Sequence, residues 1–184
     1  MKQEYLLLIL LPLLIILLNL NFIIFHNNNN TELNGNVLNY FQDKEELKYN
    51  FSNEEIIHLK EVKSLITKLN IIISILVIIT TIILLMNKGR VLNQLVISGS
   101  IALFIILLLS LINFNSLFTK FHEALFSNDY WLLPSNSLLI QTYSFDFFKS
   151  LTKRLALNII ISSFVLIIIG IIQNVYSSYK SRSA

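Results

Sequence analysis

Long unbroken apolar runs alternate with polar and amphipathic stretches along the 184-residue chain. Four runs, Tyr5–Phe25, Leu69–Met86, Val91–Phe114 and Leu155–Val175, contain no charged side chain. Crossing a hydrocarbon layer of ~30 Å takes roughly 20 residues of helix, so each run is predicted to span a bilayer. A charge at the centre of such a helix costs about 2.5–3.5 kcal/mol on insertion scales, which accounts for its absence. The predicted fold class is an all-α membrane protein of four transmembrane helices. Residues 1–184 then form a single integral membrane domain, with loops 26–68 and 115–154 making a helical, aromatic-rich cap.

The first run reads as a retained span and not as a cleaved signal peptide. It exceeds the usual apolar length of such a peptide, and no small-residue cleavage site follows it. After it, His26–Asn36 has no apolar period and is predicted to be a flexible asparagine-rich linker. From Asn53 the pattern becomes helical. His58, Val62, Leu65 and Leu69 fall on one face, with Ser52 or Asn53 as cap and Glu54 and Glu55 in the first turn. This helix is predicted to run unbroken into the second span.

The second loop opens on another amphipathic segment, in which Phe118, Phe121, His122 and Leu125 share a face. Such a helix is suited to lying in the headgroup layer. A turn signal at Ser127-Asn128-Asp129 leads to Tyr130-Trp131, an aromatic pair that membrane interfaces favour. Aromatics return between Tyr143 and Phe148, ahead of the fourth span.

Charge then sets the orientation. Lys2, Lys88 with Arg90 in a tight Asn87–Arg90 turn, and Lys180 with Arg182 flank the spans on one side, which the positive-inside rule assigns to the cytoplasm. Both termini are therefore expected inside, and both large loops outside. Loop 26–68 is mixed, with seven acidic and five basic residues; loop 115–154 carries four basic against three acidic and pulls mildly the other way. Only 14% of the residues are charged, against roughly a quarter in a soluble domain. A net charge of +3 gives no ground for a nucleic-acid partner. With no cysteine, thiolate metal sites and a cysteine nucleophile are excluded.

All three histidines, His26, His58 and His122, lie in the loops. His58 and His122 stand on otherwise apolar faces, where a packing histidine would also stand. Two imidazoles titrating near neutrality also suit acid–base chemistry. Glu54, Glu55 and Glu61 flank His58 at helical spacing and are candidates to orient it. Asp129 follows His122, and Trp131 reads as an interface anchor. No nucleophile elbow, zinc-binding helix motif or phosphate-cradling glycine loop occurs, and no metal or cofactor is expected. On the spans, Ser98-Gly99-Ser100 and the series Asn158, Ser162, Gly170 suit close helix packing.

The two histidine segments together resemble the lipoprotein intramolecular transacylase (Lit) family. Phe51-Ser52-Asn53-Glu54-Glu55-Ile56-Ile57-His58-Leu59-Lys60-Glu61-Val62-Lys63 is similar to that family's F-x-x-E-E-x-x-H-[ML]-x-D-V-K. The stretch from Phe121-His122 through Asn128-Asp129-Tyr130-Trp131 to Pro134 is similar to F-H-x-x-L-F-x-N-D-x-W-x-L-x-P. Glu61 stands where the family has aspartate, and Ser144 where it tends to have proline. The resemblance implies transfer of an acyl chain from the glyceryl group of a diacylated bacterial lipoprotein to the α-amino group of its own N-terminal cysteine. It also implies His58 and His122 as the catalytic pair; Glu54, Glu55, Asn128, Asp129 and Trp131 are the candidates to orient them or bind substrate. The implied setting is the bacterial cell membrane, with lipoprotein and membrane lipid as partners and no obligate protein partner. A non-catalytic accessory or docking protein is the alternative reading.

Overall fold

Within hydrocarbon every backbone N–H and C=O must be paired inside its own segment, and the apolar runs are accordingly helical. The structure, a computed structural model, describes residues 3–27, 29–87 and 92–182. After a 3-10 turn at Gln3–Leu6 come α1 (Leu7–Phe25), α2 (Glu32–Phe41), α3 (Asn53–Met86), α4 (Leu92–Ser110), α5 (Phe114–Leu125), α6 (Leu138–Thr142) and α7 (Phe145–Arg182). No strand occurs among the described residues. Helices α1, α3, α4 and α7 are long and apolar enough to cross a membrane. As predicted, α3 runs from Asn53 into the second span without a break. The tight turn at Lys88–Arg90 and the start of the third span at Val91 lie outside the described residues, as does Lys2.

Two helix ends depart from the predicted spans, because an apolar run does not show where capping groups act. The third span stops at Ser110, and Asn113 caps α5 by accepting from the Asn115 N–H at 2.9 Å. The helix that carries the fourth, α7, begins at Phe145, well before the apolar run, where the Ser144 hydroxyl accepts from the Phe147 N–H at 3.2 Å. Serine is a favoured cap.

The chain divides into two compact units, Met1–Leu20 with Ile71–Leu111 and Arg154–Ala184, and Asn21–Asn70 with Ile112–Lys153. In the first, Leu7, Leu11, Ile83 and Leu95 form the core. Side chains in lipid gain little by hydrophobic burial, so close approach matters more. At Gly99 an added Cβ would lie 2.8 Å from the Ser163 carbonyl oxygen, and at Gly170 one would lie 3.0 Å from that of Leu92. The Ser98 hydroxyl donates to the Leu7 carbonyl at 3.0 Å, and Asn19 Nδ2 to the Ser162 hydroxyl at 3.1 Å. The small residues thus serve packing.

In the second unit Val37, Tyr40, Phe51, Leu59 and Leu139 make the core. Here the predicted linker is corrected: α2 begins at Glu32, and asparagines hold the segment together. Buried Asn34 donates to the Asn29 carbonyl at 2.6 Å and accepts from the Tyr143 hydroxyl at 2.8 Å. Buried Asn36 donates to the Glu46 carbonyl at 2.9 Å and accepts from the Lys48 N–H at 2.9 Å. A buried amide with its bonds made is stable in a core, so polar composition misled the pattern. The buried stripe of α3 also falls one position on from the predicted face. Glu55, Leu59 and Ile66 are buried, while His58, Val62, Leu65 and Leu69 are half-buried beside them.

Candidate active site

Helix α3 starts with a capping box. Ser52 N–H donates to Glu55 Oε2 at 2.8 Å, and Glu55 N–H to the Ser52 hydroxyl at 3.3 Å. The other oxygen of Glu55 accepts from the Leu139 N–H at 2.8 Å, tying the start of α6 to the start of α3. His58 follows within the next turn of α3.

His122 lies in the last turn of α5. Its Nδ1 is 2.7 Å from the Phe118 carbonyl oxygen. A carbonyl only accepts, so Nδ1 carries the proton and neutral His122 presents Nε2 as its basic atom. Beyond α5 the chain turns at Asn128, whose Oδ1 accepts from the Tyr130 N–H at 3.1 Å. The Asp129 carbonyl accepts from the Leu132 N–H at 2.9 Å. This turn brings Trp131 onto His122, with ring centroids 4.9 Å apart and planes 30° apart. Asn128 Nδ2 donates to Glu61 Oε1 at 2.5 Å, so this turn and α3 are joined directly.

The two imidazoles meet, with centroids 6.3 Å apart. Phe126 packs against both, at 4.9 Å from His58 and 5.7 Å from His122. Phe118 lies 4.2 Å from His122 and leads through Phe145 and Phe148 into a wider aromatic cluster. Burial among these rings pushes the His58 pKa down to about 4, with the nearby His122 adding like-charge repulsion. Burial lowers that of His122 too, partly offset by its hydrogen bond to the Phe118 carbonyl. Both are therefore neutral at pH 7.

The structure brings together His58, His122, Asn128 and Trp131 of the predicted site. Glu55 is buried but spends both oxygens on the cap and on Leu139. Glu54 and Asp129 are exposed. None of the acidic residues near His58 orients it through Nδ1, which is buried without a hydrogen-bond partner among the described residues. His26 stacks on Phe22 at 4.4 Å. No group of three or more histidine and acidic side chains suited to a metal ion occurs among the described residues. Sequence reasoning did not place Phe118 and Phe126 against the imidazoles, although both sit at helical spacing around His122.

Residues 26–148 match the family model of the lipoprotein intramolecular transacylase Lit. The chain belongs to the Lit family. It is a family of enzymes, and the stretch that matches holds both histidines and the whole Glu61–Asn128 connection. The fold agrees. The in meso structure of the membrane integral transacylase Lit from Bacillus cereus is 19% identical, with a TM-score of 0.80 and coverage of 98% of each chain. Two further structures of that Lit, each with one histidine replaced, by arginine or by alanine, give TM-scores of 0.76 and 0.74 at 17% identity. No curated protein sequence matches the chain.

Proposed function

We propose that this chain is an acyltransferase of the bacterial cell membrane. It moves an acyl chain from the glyceryl group of a diacylated lipoprotein to the α-amino group of that lipoprotein's N-terminal cysteine, leaving the lyso form. What carries the reading is the pair of neutral imidazoles 6.3 Å apart within an aromatic wall, in a member of this family. Aminolysis of an ester needs a neutral amine, an acceptor for its proton and a donor for the leaving alkoxide. An α-amine of pKa near 8 is roughly one-tenth neutral at pH 7.

The hydrogen bonding also suggests an order of roles. His122 Nε2 is a free acceptor, because Nδ1 is committed to Phe118. His58 Nδ1 is buried without a partner, and an unpaired buried N–H is the rarer condition, so Nε2 holds the His58 proton. The amine nitrogen attacks the ester carbonyl, and its proton passes to His122. The carbon–oxygen bond to glycerol breaks, and the alkoxide takes that proton back from the His122 imidazolium, while the His58 N–H donates a hydrogen bond to the oxygen on which charge develops. Such acid–base help is typically worth about 10²–10⁴ in rate. Amine and ester share one molecule, so orienting them supplies further acceleration.

Loops 26–68 and 115–154 are placed outside the cell and both termini inside, on the strength of Lys2, Lys88, Arg90, Lys180 and Arg182. The natural absence of cysteine makes this easy to test: Ser135→Cys should react with an impermeant maleimide on intact cells, and Tyr179→Cys should not. The reverse pattern would invert the topology. The activity is tested with detergent-purified protein and a diacylated lipopeptide, reading the N-terminus by mass spectrometry. An N-acyl, lyso product is expected. An unchanged substrate, together with a copurifying second protein, would favour an accessory role instead.

A further inference from the structure

Glu61 carries an unfinished interaction. Its Oε1 accepts from Asn128 Nδ2, whose partner oxygen is fixed by the Tyr130 N–H, so the amide cannot turn over without losing both bonds. Its Oε2 is buried and has no hydrogen-bond partner among the described residues. A carboxylate oxygen removed from water without a donor or a cation is costly, and stable sites supply one. Glu61 lies three positions after His58 on α3, the spacing at which helical side chains are neighbours. Through Asn128 it is also bonded to the turn that sets Trp131 on His122. A cation bound at Oε2 would therefore stand beside the imidazole pair.

We propose that Glu61 Oε2 binds the α-ammonium of the substrate and holds that nitrogen next to the two histidines until its proton is passed on. The inference rests on the transacylase reading, since it is that reaction which brings a primary α-amine to this site. An N–H of the ammonium donates to Oε2, which completes the carboxylate, and the attack begins once the nitrogen has released one proton to bulk water, which leaves His122 free to take the second. Glu61 is thus a substrate-positioning residue; it neither forms nor breaks a bond to carbon. The family's aspartate at this position keeps the charge.

The test uses ether-linked dialkyl analogues of the lipopeptide, which cannot undergo transfer, with the α-amine either free or acetylated. Their binding to the purified protein is measured in detergent. A hydrogen bond to a charged group of ordinary strength predicts that wild type prefers the free amine by roughly 10–100-fold. Glu61→Gln, which retains an oxygen for Asn128, should bind the two analogues alike and hold the acetylated one as wild type does. Glu61→Asp should keep most of the preference. On the reactive substrate, Glu61→Gln should raise KM far more than it lowers kcat. Equal binding of the two analogues by wild type would overturn the proposal whether or not the variants fold, and so would an undiminished preference in Glu61→Gln. A wild type that converts no diacylated substrate would instead overturn the transacylase reading, which is a separate outcome.

Discussion

The two units of the chain reach stability by different means. In the apolar unit, glycine and serine let helices approach until backbone meets side chain, as Gly99 does against Ser163 and Ile167. In the other unit, buried asparagines and a buried glutamate close hydrogen bonds around an ordinary apolar core. The contrast follows from solvent. Where lipid surrounds a helix, burial of apolar surface gives little and contact distance decides. Where water is displaced, apolar burial contributes about 25 cal/mol per Å², and the remaining task is to satisfy polar groups. The two histidines proposed to act in catalysis sit in the second kind of unit, where a polar side chain can be placed and held.

If that division is right, removing an imidazole should harm chemistry without harming the fold. His122→Ala is expected to lower kcat/KM by about 10²–10⁴. Its melting temperature should change little, since no residue of α5 is buried. His58→Ala should lower kcat/KM to a similar extent. Activity within a few-fold of wild type in either variant would take that residue out of the mechanism.

Glycine offers a direct comparison of the units. Gly99→Ala should destabilise by about 1–3 kcal/mol, the usual cost of overpacking, because its Cβ would fall 2.7 Å from Ile167 and 2.8 Å from a backbone oxygen. Gly35→Ala in α2 meets nothing within 4 Å and should stabilise by about 0.5–1 kcal/mol through helix propensity. Thermal unfolding in detergent measures both. Shifts of the same sign would erase the distinction.

A further effect is in the pH profile. His58 titrates at about 4 when folded, below its ordinary 6.5. Between these values the unfolded chain binds the extra proton, so stability should fall as pH drops through that window and be unaffected by this group above it. Activity should likewise show no inflection near 6.5. The rise in kcat/KM is expected to follow the substrate amine, near pH 8. A step near 6.5 that vanished in His58→Gln would contradict the burial of this imidazole.

Much of this was legible in the residues. Uninterrupted apolar runs announce helices in lipid, and two histidine segments with specific spacing point to one family. What stayed hidden has identifiable causes. Helix α2 was masked because Asn34 and Asn36 read as solvent-seeking while each is satisfied inside. The start of α7 depended on a serine cap that hydropathy does not register. The bond from Asn128 to Glu61 joins positions 67 apart, and no local period encodes such a pairing. Glu61 stands out in the sequence as a neighbour of His58 and as a change from the motif's aspartate, and its partner is on the other loop.

The rings of Phe118, Phe126 and Trp131 around the imidazoles carry a last consequence. In the proposed reaction an acyl carbonyl lodged among them would have few water molecules at hand, whereas a nucleophile tethered to the same lipid would arrive with it. Partition between amide and free fatty acid should then lie heavily toward the amide, and smaller residues at Phe126 or Trp131 should leak carboxylate. Titrating released fatty acid against N-acyl product would measure how well the aromatic shell keeps a transferase from becoming an esterase.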